Sequence, residues 1–139
     1  MNPAFIIDCS ITMSWCFADE ATPAASKVQN RLESEAALVP AHWGLEVVNV
    51  LAMAEKRKRI TPAKGAEFLG LLNAVDIEVD GETAGRAFHQ LPPLCRSHGL
   101  TSYDAAYLEL ALRRGLPLAT LDDDLRSAAK KLGVGLIGK

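Results

Sequence analysis

Four carboxylates in this chain stand where a fold could gather them. Asp8 closes the apolar run Ala4-Phe5-Ile6-Ile7, and Glu46 falls in the first turns of a helix that is otherwise apolar. Asp104 follows Thr101 by three residues, and Asp122 comes just after Leu118-Ala119-Thr120. Each has a purely structural explanation. Thr101 and Asp104 match a capping box, in which the hydroxyl takes one orphan N–H and the acid reaches back to another. Asp122 heads a run with Asp123 and Asp124 at a helix start, where capping and the helix dipole suffice. Asp8 can simply end a strand, and Glu46 can pair with a cation. Chemistry requires that they converge. Four carboxylates in one pocket repel strongly, and a divalent cation resolves the conflict. An all-oxygen donor set favours Mg²⁺ or Mn²⁺ over zinc.

The elements between these acids must bring them together. Ala4–Ile7 is a continuous apolar run, as in a strand buried on both faces of a parallel sheet. Ser10 is then expected to cap a helix through Phe17. Thr22-Pro23 and Thr61-Pro62 both read as N-cap followed by proline at the first helical position, opening helices to about Glu35 and Ala74. Ala37-Leu38-Val39 is a brief strand closed by Pro40. From His42 a helix follows through Ala54, apolar nearly all round and therefore expected to be largely buried. Glu46 and Asn49 share one of its faces, and Lys56-Arg57-Lys58-Arg59 ends it with cations at the negative end of the dipole.

Val75 to Val79 alternates as a half-exposed edge strand does. A helix from about Glu82 to Gln90 is expected to break at Pro92-Pro93 and resume over Leu94–His98. The helix carrying Asp104 closes on Arg113-Arg114-Gly115. Leu118–Thr120 and Val134–Ile137 complete the strands, with a helix from Asp122 between them. Short strands alternating with helices predict an α/β layered fold, its short sheet mainly parallel. In such a sheet ligands sit beyond the carboxyl ends of the strands, and all four acids fall near such ends or near helix N-termini.

Composition narrows the rest. The 139 residues, 49% hydrophobic and 23% charged, suit one globular domain spanning 1–139. A formal net charge of −2 gives no general polyanion-binding signal, although a local basic patch can serve. Cys9, Cys16 and Cys95 lack CxxC spacing and read as buried free thiols of a reducing compartment. With no signal-peptide pattern and no membrane-length apolar stretch, a cytoplasmic protein is expected. His42, His89 and His98 show no metal-ligand spacing and read as surface or capping residues. Gly133-Val134-Gly135-Leu136-Ile137-Gly138 matches GxGxxG formally, but only Lys139 follows, so no helix presents a phosphate site. No Walker A sequence or GxSxG occurs, and no cysteine has a placed histidine.

Taken in order, Ile6-Ile7-Asp8-Cys9-Ser10, Leu45-Glu46-Val47-Val48-Asn49-Val50-Leu51, Gly99 to Leu108 and Leu118 to Asp122 resemble the PIN-domain nucleases, most closely the VapC-type toxins of toxin–antitoxin pairs. The resemblance covers nearly the whole chain, and the segment around Asp104 is its most specific part. It implies a PIN-like three-layer fold and Mg²⁺- or Mn²⁺-dependent cleavage of RNA. The acids Asp8, Glu46, Asp104 and Asp122 then hold the metal and act in catalysis, and Ser10, Asn49 and Thr101 support them. Asp124 is a possible further ligand, and cations among Lys56 to Arg59 could hold the RNA backbone. The resemblance also implies a cognate antitoxin that blocks the site and a homodimer, with no membrane association. Pro92-Pro93 departs from the pattern.

Two rival readings are weaker. A haloacid-dehalogenase-like phosphatase needs a second acid two residues after the first, and Ser10 stands there. A PIN-like interaction domain without catalysis should have lost carboxylates.

Overall fold

The computed structural model describes residues 2–138; Met1 and Lys139 lie outside them. Five parallel strands form one sheet: β1 (Pro3–Ile7), β2 (Ala36–Val39), β3 (Ile77–Val79), β4 (Leu118–Ala119) and β5 (Leu136–Ile137), in the order β3-β2-β1-β4-β5. The helices that flank it are α1 (Cys9–Ser14), α2 (Pro23–Arg31), α3 (Trp43–Lys56), α4 (Pro62–Ala74), α5 (Thr83–His98), α6 (Ser102–Arg114) and α7 (Asp123–Lys131). A short 3-10 turn, Ala18–Glu20, follows α1.

β1 is central, and Phe5, Ile6 and Ile7 are fully buried, as a strand covered on both faces requires. The chain leaves β1 toward β2 and β3, then returns to β4 on the other side. That reversal makes the crevice between the ends of β1 and β4 the switch point of the sheet, the usual place for a ligand in this architecture. Ile7 pairs with Ala119, so the next residues, Asp8 and Thr120, emerge side by side. β3 pairs only with β2 and is the edge strand its alternation predicts.

Local signals hold at most helix starts. Thr22, Thr61 and Thr101 each accept a backbone N–H at their N-caps, and prolines follow the first two. The Asp104 N–H reaches the Thr101 hydroxyl at 3.2 Å. Gly99 and Gly115 take the left-handed conformation that stops α5 and α6, at φ of 63° and 62°. The GxGxxG match falls on the turn and strand β5 after α7, which is no phosphate cradle. Its last glycine has a packing reason: at φ of 97°, a Cβ on Gly138 would meet Ile11 Cδ1 at 2.5 Å.

Several expectations are corrected. The first helix is capped by Asp8, whose carboxylate accepts the Ile11 N–H, and it ends at Ser14. The second helix stops at Arg31, short of Glu35. The cysteines are free but only half-buried. The helix at Pro92-Pro93 is not broken: α5 runs through both prolines.

Those prolines remove the bonds that would reach the carbonyls of Phe88 and His89, residues on an exposed stretch that water can serve. Leu91 is buried beneath them, and Leu94 and Cys95 pack on the core, so tertiary contacts hold the helix where propensity would end it. Pro92→Ala should therefore stabilise the protein by about 1–3 kcal/mol in urea unfolding, since alanine restores a donor and is the better helix residue.

α3 is less buried than its composition suggests. Trp43, Val47, Leu51 and Ala54 form one stripe against the core, while Leu45 and Val48 are 76% and 52% exposed. Val48, with Leu69 and Val79, borders an apolar groove of about 460 Å³ between α3, α4 and β3.

A polar knot sits just beyond β3. Asp80, buried at the end of β3, accepts from the Thr83 hydroxyl and the Glu82 N–H, and Arg113 of α6 grips it through two nitrogens at 2.9 and 3.0 Å. Arg113 also holds Glu109, buried one turn back on α6. This ties the α6 C-terminus to the β3–α5 corner and fixes the axis of the helix that carries Asp104.

Candidate active site

Asp8 caps α1 from the end of β1 and is 3% exposed. Its Oδ1 accepts from the Ser10 hydroxyl at 2.7 Å and the Ile11 N–H at 3.0 Å, and its Oδ2 from the Thr120 hydroxyl. Ser10 in turn accepts the Leu121 N–H at 3.0 Å, and Thr120 accepts the Asp122 N–H at 3.0 Å. The end of β1 and the loop after β4 are thereby laced together around one carboxylate. Thr120 was missed in the sequence. Its signal, a hydroxyl two residues before Asp122, acquires meaning only once β4 is known to lie beside β1.

Burial outweighs these three donors, and the Asp8 carboxyl is raised to about 6. Asp104, half-buried in the first turn of α6, is likewise raised to about 6. Desolvation is again the largest cause, followed by the negative charges of Asp122, Glu46 and Asp124. Asp104 also adds to the shift of Asp8. The four acids thus share one electrostatic neighbourhood, and exposed Asp124 contributes to it. In the metal-free protein, carboxyl carbon NMR titration should find Asp8 and Asp104 both titrating near 6. Ordinary values at both would mean that the acids do not share a pocket.

Glu46, in the first turn of α3, reaches α6: its Oε1 accepts from the Tyr107 hydroxyl. His42 Nε2 lies 3.3 Å from the same oxygen, so this histidine belongs to the site and does not cap its helix. Tyr107 and His42 were also not singled out as site residues. Asp122 is the N-cap of α7, its Oδ1 accepting the Leu125 N–H at 2.8 Å; cap and acidic neighbour are compatible roles. Asn49 is exposed one turn beyond Glu46 and lines a separate shallow pocket with Met53 and Arg57. Arg59 is bound to Asp19 at 2.6 Å and Glu20 at 3.0 Å and lies over the Phe17 ring, so its charge is committed away from the acids.

The neighbouring thiol is not a nucleophile. Burial, with Glu46 and Asp8 nearby, pushes Cys9 up to about 12, far from the thiolate that reactivity requires.

Among the described residues no three His, Cys, Asp or Glu side chains enclose an ion by themselves. The donor chemistry nevertheless suits a hard cation. Two carboxyls are raised by burial and mutual repulsion, and every acid offers only oxygen. An ion held by these residues would take water for the rest of its shell, as Mg²⁺ commonly does.

A parallel sheet of order 3-2-1-4-5, with Asp8 and Asp122 beyond the carboxyl ends of β1 and β4, defines an α/β protein with acids at its switch point. The profile of the PIN domain matches residues 5–131, and the chain belongs to that family. It is 32% identical over 108 residues to Ribonuclease VapC12 of Mycobacterium tuberculosis, covering 75% of this chain and 78% of that protein. Its fold is similar to PAE2754 from Pyrobaculum aerophilum, with TM-score 0.70 and 22% identity over 98% of this chain and 92% of that one. It is also similar to Mycobacterium tuberculosis VapC20, described as a sarcin-ricin loop cleaving toxin, with TM-score 0.60 and 13% identity over 90% and 95% of the two chains.

Proposed function

We propose that the protein is an endoribonuclease toxin that hydrolyses RNA phosphodiester bonds with the help of Mg²⁺ or Mn²⁺. The observation that carries this reading is the set of acids at the switch point: Asp8 at the end of β1, held by the Ser10 and Thr120 hydroxyls, Asp122 after β4, and Glu46 and Asp104 in the first turns of α3 and α6. Its relation to Ribonuclease VapC12 supplies the substrate class. Asp8 and Asp104 would hold the ion, and Glu46 and Asp122 would complete the set directly or through water. A bound ion supplies an acidified water and offsets charge developing at phosphorus. The protein's own part is positional. The Thr120 and Ser10 hydroxyls fix both oxygens of Asp8, Thr101 fixes the turn that presents Asp104, and the Tyr107 hydroxyl fixes Glu46.

A cognate antitoxin and a second copy of the chain are the proposed protein partners. The exposed Leu45 and Val48 of α3 and the apolar groove beside that helix support the existence of such partners. No helix among the described residues is long and apolar enough to cross a membrane.

The test is incubation of the purified protein with RNA, with Mn²⁺ or with EDTA, followed by sequencing of the cleaved ends. Cleavage at defined sites with Mn²⁺, abolished by EDTA, is expected; RNA left intact in Mn²⁺ would overturn the reading.

A further inference from the structure

His42 and both tyrosines of the chain meet at the seam between α3 and α6. The His42 ring lies edge-on to Tyr107, with centroids 5.1 Å apart and planes at 67°, and tilted against Tyr103 at 5.8 Å. Its Nε2 is 3.1 Å from the backbone oxygen of Tyr103 and 3.3 Å from Glu46 Oε1. A carbonyl oxygen can only accept, and so can a carboxylate, so Nε2 must be the nitrogen that carries the hydrogen. The Tyr107 hydroxyl donates to the same Glu46 oxygen. Burial and the neighbouring Glu46 keep that hydroxyl protonated, well above the ordinary phenol range.

The Tyr107 hydroxyl, from the body of α6, is therefore the donor to Glu46 Oε1, while His42, the residue that precedes α3, donates to the Tyr103 carbonyl and keeps its ring 3.3 Å from the same carboxylate oxygen. That carbonyl belongs to the residue next to Asp104, so the His42 hydrogen bond ties the start of α3 to the first turn of α6. We propose that His42 is a positioning residue which, together with Tyr107, clamps the first turn of α3 to the first turn of α6 and so sets Glu46 relative to Asp104. This rests on the reading of those acids as metal-holding groups. Neither donor needs to touch substrate. Their work is to hold a carboxylate that would otherwise swing on its free side chain toward solvent.

The clamp explains why an imidazole and a phenol, rather than aliphatic groups, fill this seam. A structural filler would need the rings and not their polar atoms. The glutamine side chain places an amide N–H near the position of Nε2, whereas alanine removes it, and Tyr107→Phe removes only an oxygen. Loss of such an outer partner of a metal ligand typically weakens metal binding about 10–100-fold.

The experiment measures Mn²⁺ binding to the full-length wild type and to His42→Ala, His42→Gln and Tyr107→Phe, by calorimetry or by the electron-spin signal of free Mn²⁺. Melting curves are recorded in EDTA. His42→Ala and Tyr107→Phe should each weaken Mn²⁺ at least about tenfold, with His42→Gln within about threefold of wild type. Wild-type affinity in Tyr107→Phe, or equal weakening by alanine and glutamine at position 42, would overturn the clamp. If His42→Ala does not fold, the glutamine and phenylalanine variants decide. A readout free of metal accompanies these: long-range proton–nitrogen NMR of the wild type in EDTA at pH 8 should show His42 as the Nε2–H tautomer. The Nδ1–H tautomer would overturn the proposal. Should the wild type bind no Mn²⁺, the functional reading fails, and the tautomer and melting curves alone judge the clamp.

Discussion

Asp8→Asn and Asp104→Asn should each lower Mn²⁺-dependent RNA cleavage by at least about a hundredfold while leaving the protein folded, a loss of roughly 2.7 kcal/mol in transition-state stabilisation. At Asp8 the amide oxygen can keep the bonds from Ser10 and Ile11, and the Thr120 hydroxyl can turn to accept from the amide nitrogen. Only the charge is removed. Asp104 is half-buried in a helix turn secured by Thr101, and its amide would relieve repulsion from Asp122, Glu46 and Asp124. Undiminished cleavage by either purified variant would remove that residue from the catalytic set.

Stability supplies an independent check on Asp8. Its carboxyl is raised above the ordinary 3.8 to about 6, so the folded state favours the protonated form. That contribution is fully present below pH 4 and is lost as pH rises through 6. In EDTA at pH 8, Asp8→Asn should therefore be more stable than wild type. The advantage should vanish as pH falls toward 4. Urea unfolding at several pH values reads both limits. An advantage that does not depend on pH would mean that buried charge is not its source.

The parts of this molecule that were legible in the sequence are those determined within a turn or two of chain. The caps at Thr22, Thr61 and Thr101 need only a hydroxyl and a nearby N–H. The five strands and their parallel sense follow from short apolar runs alternating with helices. What stayed hidden depends on adjacency across the chain. Thr120 is 112 residues from the carboxylate it serves, and Tyr107 is 61 from Glu46. Neither side chain is marked until β4 lies beside β1 and α6 beside α3. Pro92-Pro93 was misread because local propensity argues for a break while Leu91 and its neighbours bury the helix. The apolar stripe of α3 was misread for the converse reason. Composition reports that a face wants cover and is silent on whether this chain supplies it.

The ion-pair knot was also illegible, since Arg113 reads locally as a cation completing a helix dipole. Its side chain is only 11% exposed, and those of Asp80 and Glu109 are 3% and 8% exposed. Arg113→Met should accordingly destabilise the protein by about 3 kcal/mol, because it leaves two buried carboxylates with only the more distant Arg114 and Arg86, each 4.0 Å away, as counter-ions. That corresponds to a drop in melting temperature on the order of 10 °C. The pH dependence identifies the cause. Hydrogen bonding and charge from Arg113 hold the Asp80 carboxyl down at about 2 against the pull of burial. A depressed carboxyl contributes stability that is complete above its unfolded value of 3.8 and is lost as pH falls toward 2. Without Arg113 the same buried group loses the largest of the influences that hold it down, so the variant suffers most at neutral pH and least in acid. The gap between wild type and Arg113→Met should be widest near pH 7 and close as pH drops below 4. A gap of constant size would assign the loss to packing of the arginine stem. Cleavage by the folded variant should persist at low temperature, since the knot holds the far end of α6 and touches none of the four acids. Loss of activity in a fully folded sample would show that α6 transmits the position of Arg113 to Asp104.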